Sequence, residues 1–306
     1  MPSLRTVHGV IPIDKPAGMG SAEVVRRVKR NFAKGTRVGH LGTLDPFATG
    51  MLPILIGEAT KLAPFLQEGE KEYTGTILLG AETDTLDPTG QIVRTAPLPA
   101  LDPDRLADLA TRFTGIIEQT PPIFSALKRD GVRLYDLARR GLEVDQPAAR
   151  RVHIKRLDLA IHSPAELTFT VVCSTGTYIR SLARDIGTAL DSAAYLRELR
   201  RTRNGSFAVD SAFSLDRVMA VLERGEDAPV IAMSAALPAM PEVEVPRAIA
   251  DRLRHGDSSA LMNRVPEPED LFKPEGLFKV VCDGCLIAVA RATSRVSAIL
   301  VRGFTV

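Results

Sequence analysis

The chain has 306 residues, 45% of them apolar and 25% charged, and a formal net charge of +2. This composition reads as an ordinary globular protein, with length for one large domain or for a large and a small one around a sizeable core. No apolar run approaches the roughly 18 residues of a membrane-spanning helix. The N-terminal Met1-Pro2-Ser3-Leu4-Arg5 lacks the apolar stretch of a secretion signal, and three cysteines make no disulfide framework; a reducing cytoplasm is the expected compartment.

In chain order, residues 9–16 predict a short strand ended by a turn. Ser21 is placed to cap a helix that starts near Ala22, runs to about Phe32 and turns Val24, Val25 and Val28 inward. Residues 35–50, rich in Gly, Thr and Pro, read as a loop. A buried segment over 51–57 and a short helix over 58–66 follow, then a strand from Thr74 to Leu79. Asp102 ahead of Pro103 is the start signature of a helix reaching Phe113. Residues 119–146 are polar, basic and turn-rich around a short helix at 134–140, and read as a mobile arm. Alternating apolar residues predict paired strands over 151–161 and 166–173. Helices are expected over 176–190, 193–199 and 215–222. The Pro-rich stretch 237–246 then reads as a linker. Beyond it lie a helical piece at 248–254 and strands at 277–282, 285–291 and 296–301, the first two joined by the hairpin dipeptide Asp283-Gly284.

The charge is small but clustered. Arg26, Arg27, Lys29, Arg30, Lys34 and Arg37 lie close together without an acid among them. Lys128-Arg129 with Arg133, Arg139-Arg140, Arg150-Arg151 with Lys155-Arg156, and Arg197 with Arg200, Arg201 and Arg203 add further clusters. Solvated helix faces and one positive face for a polyanion both fit this pattern.

The segment richest in chemical information is Gly39-His40-Leu41-Gly42-Thr43-Leu44-Asp45-Pro46-Phe47-Ala48-Thr49-Gly50. It is a Gly-flanked loop carrying one carboxylate, and Pro46 biases Asp45 away from helical backbone. On its residues alone, a turn is the default reading of Asp45. The twelve residues, however, resemble the catalytic loop of the TruB family of pseudouridine synthases, which also includes the dyskerin-type enzymes; Leu41 stands where a threonine is expected. Four further blocks agree with the resemblance. They are Gly9–Ser21, where Pro12 and Gly20 depart from the pattern; Lys71-Glu72-Tyr73 with residues 80–85; residues 121–128, where Phe124 replaces a tyrosine; and residues 174–183. Residues 196–207 resemble the motif closing the catalytic domain.

The resemblance implies Asp45 as the nucleophile and Arg180 as its charge partner. It also implies His40 helping the target base leave the RNA helix, Tyr73 stacking on that base, Tyr178 packing beside it, and Leu199 lining the uracil pocket. Without the resemblance, Tyr73 and Tyr178 read as core aromatics, Leu199 as core and Arg180 as a surface residue. The implied substrate is the T-loop uridine at position 55 of tRNA. The isomerisation exchanges a carbon–nitrogen for a carbon–carbon bond without redox change or group donor, so no cofactor and no metal are expected. A carboxylate nucleophile can split such a step in two, and a neighbouring guanidinium favours its anion.

Three other features have structural readings. Asp84 and Asp87 fit a turn, Lys61 a surface lysine with a phosphate contact as the alternative, and Cys282-Asp283-Gly284-Cys285 a hairpin with two thiols.

The expected fold is α+β, a pseudouridine-synthase-like mixed, largely antiparallel sheet flanked by helices. Residues 1–244 form the catalytic domain, with the basic arm at about 120–150, and 245–306 a small C-terminal β domain faintly resembling the RNA-binding PUA domain. A monomer acting on tRNA, with no membrane and no required protein partner, completes the reading. A non-catalytic tRNA-folding chaperone shares the basic surface, but it has no need for Asp45, Tyr73 and Arg180 together.

Overall fold

The computed structural model describes residues 7–67, 69–124, 145–265 and 276–305, with the backbone of two short paired strands, Lys128–Arg129 and Val132–Arg133. Its centre is a ten-stranded sheet. The order across it is Phe213–Ser214, Gly9–Lys15, Thr49–Ile56, Ala194–Asn204, Lys71–Leu79, Glu166–Cys173, Arg150–Ser163 and Gly115–Gln119. Val38–His40 adds to Thr49–Ile56, and Phe207–Ala208 to Ala194–Asn204. Two pairings are parallel, Phe213–Ser214 with Gly9–Lys15 and Ala194–Asn204 with Thr49–Ile56; the others are antiparallel. The expected mixed, largely antiparallel sheet is therefore observed.

Apolar burial explains the layering. Helices Ser21–Lys29, Pro103–Phe113 and Ile179–Ala189 bury Val24 and Val28, Leu106 and Leu109, and Leu182 and Ile186 against Ile77, Leu167, Phe169 and Leu196 of the sheet. Asp102 caps the second of these as expected, accepting from the amides of Asp104 and Arg105 at 2.9 and 3.2 Å. A second core forms from Leu41, Met51, Leu55, Leu62 and Leu66. Against them pack Met233 and Leu237, Val281, Leu286 and Val289 of a four-stranded C-terminal sheet, and Phe304 just beyond its last strand.

Several elements differ from the sequence reading. Residues 193–199 are not a helix but the start of the strand Ala194–Asn204, in the middle of the large sheet. The pairing register shifts between Leu196 and Glu198 and again between Arg201 and Arg203. Such bulges break the two-residue alternation and leave Leu196 and Leu199 three apart on the buried side, which mimics helical spacing. The presumed loop 35–50 contains the strand Val38–His40, and Thr49 already belongs to the next. The helix expected from 176 starts at Ile179, and the one expected to reach Phe32 ends at Lys29 with Val25 only half buried. Within the Pro-rich stretch, Glu242–Glu244 pairs in parallel with Leu277–Cys282, so that segment is built into the small sheet. Asp283 and Gly284 both take positive φ, 51° and 74°, as a two-residue hairpin requires. The short helix expected at 134–140 lies outside the described residues.

Candidate active site

Asp45 projects from a loop whose backbone is fixed on all sides. Every carbonyl from Leu41 to Pro46 accepts a hydrogen bond. Asn204 Nδ2 donates to Leu41 O at 2.7 Å, and Arg201 donates to Gly42 O at 3.0 Å and to Thr43 O at 3.4 Å. Ser21 Oγ donates to Leu44 O at 3.0 Å and accepts from Leu44 N at 2.8 Å. The Ala48 amide donates to Asp45 O at 3.1 Å, and the Gly18 amide to Pro46 O at 2.7 Å. Lys15 Nζ reaches Pro46 O at 3.3 Å, besides Pro16 O and Met19 O, both at 2.7 Å. Ser21 is thus not the expected helix cap: it is the first helical residue, Gly20 occupies the cap position, and the serine hydroxyl ties the helix to the loop.

Gly50 closes the loop at φ +103°. A β-carbon there would lie 2.3 Å from the carbonyl oxygen of Arg201, so only glycine lets the two strands meet.

The carboxylate itself faces Arg180. Arg180 Nη2 donates to Asp45 Oδ1 at 3.3 Å, and Nε lies 2.9 Å from Oδ2 as an ion pair, outside good hydrogen-bond alignment. The same guanidinium donates to Thr85 O at 2.7 Å and to Phe124 O at 2.9 Å, and stands 3.5 Å from Asp87 Oδ2. Its side chain is 6% exposed and that of Asp45 32%: a buried cation anchored by two carbonyls presents its free edge to an accessible carboxylate. Asp87 is held in its turn by Thr85 Oγ1 at 2.8 Å and the Thr89 amide at 2.9 Å, the arrangement of a turn aspartate. Asp84 accepts from the Gln91 amide at 2.9 Å.

Tyr73 lies buried in the strand Lys71–Leu79. Burial pushes its phenol pKa up; the Arg201 guanidinium pulls against that, and the charges of Cys173 and Asp45 push in the same direction as burial. Leu199 sits two rungs away, opposite Gly75. With Pro46, Phe47, Phe169 and Leu159 it lines a cleft of about 1100 Å³ that begins at the residue after Asp45. Tyr178 precedes the helix carrying Arg180. Gln119 clamps both its backbone groups, at 2.8 and 3.0 Å, and the Arg150 guanidinium lies over its ring at 4.6 Å. His40 ends the strand Val38–His40, half buried and opposite Ile54.

Two buried cations escaped the sequence reading. Lys15 and Arg201 are both fully buried, although Arg201 stands in a cluster of arginines whose pattern predicts a surface. Burial lowers the Lys15 pKa to about 8, with Asp45 raising it and Arg201 lowering it further. The apolar run Val10–Ile13, which continues through Asp14 to Lys15 in one strand, is a signal for the first; the bulged strand hides the second. Lys61 pairs with Glu58 at 2.5 Å, as a surface lysine does.

Comparison with known proteins decides the family. Residues 29–179 match the TruB family pseudouridylate synthase N-terminal domain, and residues 180–237 match the tRNA pseudouridylate synthase B C-terminal domain. The chain is 45% identical over 251 residues to the tRNA pseudouridine synthase B of Geobacter sulfurreducens, covering 82% of each chain. It is 40% identical over 295 residues to that of Burkholderia mallei, covering 96% of each. This chain belongs to the TruB family of pseudouridine synthases. Among solved structures, a crystal structure of a Cbf5-Nop10-Gar1 complex superposes with a TM-score of 0.71 at 25% identity, covering 97% of this chain and 85% of that one. The family match spans both sides of the Asp45–Arg180 pair, which joins the two matched segments in space.

Proposed function

We propose that the protein isomerises uridine to pseudouridine at position 55 in the T loop of tRNA, with Asp45 as nucleophile. The observation that carries this reading is the Asp45 carboxylate paired with buried Arg180 on a fully hydrogen-bonded loop, in a chain that resembles enzymes named tRNA pseudouridine synthase B over most of its length.

The reaction breaks the bond between ribose C1′ and uracil N1, turns the base, and joins C1′ to C5, whose hydrogen leaves as a proton while the freed N1 takes one up. Atoms balance without donor or oxidant. Asp45 supplies the anion, and Arg180 holds it charged and oriented. A uridine flipped from the RNA, at a cost of about a few kcal/mol, stacks on Tyr73 beside Tyr178. Its uracil fits against Leu199 at the head of the cleft, and His40 helps fill the space the base leaves. Stacking of one base contributes about 1–3 kcal/mol, which offsets much of the flipping cost. The catalytic domain extends over residues 1–244, and 245–306 serve as an accessory PUA-like RNA-binding unit. The protein works as a cytoplasmic monomer.

Mass-spectrometric mapping of tRNA incubated with the protein tests the reading. Pseudouridine is expected at the T-loop uridine; an unmodified T loop in every tRNA contradicts it.

A further inference from the structure

Four cations gather round the loop, Lys15, Lys71, Arg180 and Arg201. The carboxylates paired with them are Asp45 and Asp87, both on Arg180. Among the described residues the remaining three donate to neutral oxygens, Lys15 feeling Asp45 only through space. Lys15 and Arg201 donate to backbone carbonyls, and Lys71 Nζ donates to Thr175 Oγ1 at 3.0 Å. The acids beside Lys71 in sequence are taken, Glu70 by Lys155 at 2.9 Å and Glu72 by Arg203 at 3.8 Å. Among the described residues Lys71 has no carboxylate in ion-pair contact, and a partly desolvated cation is costly unless an anion completes it.

Gly42 marks where that anion fits. It is half exposed at φ +76°. The point where a β-carbon would stand lies 3.3 Å from Lys71 Nζ and 3.5 Å from Arg201 Nη1, the nearest atoms beyond its chain neighbours. An oxygen approaching this bare backbone meets the Lys71 ammonium, with the buried Arg201 guanidinium behind it, three residues before the nucleophile. The rim is open, since Thr43 and Thr175 are exposed.

We propose that Lys71 Nζ, the Gly42 backbone and the Thr175 hydroxyl, backed by the charge of buried Arg201, form a subsite for one phosphodiester of the RNA strand next to the target uridine. The subsite rests on the reading of the protein as an RNA uridine isomerase. It fixes the strand on the His40 side of the loop, so that the flipped nucleotide enters over Asp45. Lys71 makes the direct contact; Arg201 contributes charge from beneath while holding Gly42 O and Thr43 O.

The test uses the full chain and a T-arm stem-loop, with single neutral methylphosphonate linkages placed on either side of the target uridine. Lys71→Met, checked for an unchanged melting curve, should bind the all-phosphate stem-loop about ten-fold more weakly, the size of one hydrogen bond to a charged group. Its log–log salt slope should fall by about 0.7–0.9. One methylphosphonate should weaken wild-type binding by a similar factor and leave Lys71→Met unmoved, while Lys71→Arg keeps the sensitivity. An unchanged slope in Lys71→Met, or equal penalties from the neutral linkage in both proteins, overturns the subsite. So does competition by inorganic phosphate without any linkage effect, which assigns the cations to a free anion. Tritium release from the same stem-loop separates the two claims: its absence in the wild type counts against the proposed reaction, whereas release with an insensitive Lys71 removes only the subsite.

Discussion

Asp45 depends on neighbours that fix its backbone as much as on Arg180. Ser21 is the most economical of these, one buried hydroxyl bonding both the amide and the carbonyl of Leu44. Ser21→Ala should cost about 1–3 kcal/mol in denaturant unfolding, because two polar groups lose a partner. It should also lower kcat more than it weakens tRNA binding; a change confined to binding contradicts the positioning role. Lys15 adds a pH signature. Its folded pKa of about 8 lies below its ordinary 10.5. Below pH 8 both states are charged and the fold bears the burial. Between 8 and 10.5 only the unfolded chain keeps the proton, so stability rises with pH there. Denaturation across that range should show the wild type gaining on Lys15→Met; parallel curves contradict it. At this scale the sequence was legible where the resemblance carried it: Asp45 and Arg180 stand together as expected. Lys15 and Arg201 were not, because a charged residue on a strand carries no mark of which face it takes until the pairing register is known.

The strand Ala194–Asn204 decides how the site is assembled. It pairs antiparallel with Lys71–Leu79, which carries Lys71 and Tyr73, and in parallel with Thr49–Ile56, which follows the Asp45 loop. One element therefore brings Leu199, Arg201 and Asn204 to residues more than a hundred positions earlier. Its bulges made it look helical, whereas the strands over 150–173 alternate plainly enough to be read directly. The close passage at Gly50 is the weak point of this assembly. Gly50→Ala forces a β-carbon into the Arg201 backbone and leaves an alanine at φ +103°. A loss on the order of 3–5 kcal/mol is expected, measured by chemical denaturation. Near-native stability contradicts the registered contact between the two strands.

At the scale of the whole molecule, the basic clusters are narrower than the sequence suggested. Arg37 pairs with Glu58, Arg197 with Glu166, and Arg200 with Asp14 at 2.8 Å, leaving less free positive surface for RNA. The small C-terminal sheet is likewise less separate than a Pro-rich linker implied, since Val281, Leu286, Val289 and Phe304 share a core with Leu41, Met51 and Leu55. Removing residues 245–306 should therefore destabilise the remainder, by uncovering the layer behind the Asp45 loop, as well as weaken tRNA binding. Unchanged thermal unfolding after truncation contradicts the shared core. The central claim, that this fold exists to hold one nucleophilic carboxylate against an extruded uridine, is tested most directly by Asp45→Asn. The variant keeps the shape of the side chain and removes its anion. Assayed for tritium released from RNA labelled at uridine C5, it should fold and bind tRNA like the wild type and release none. Substantial release by Asp45→Asn would contradict the account.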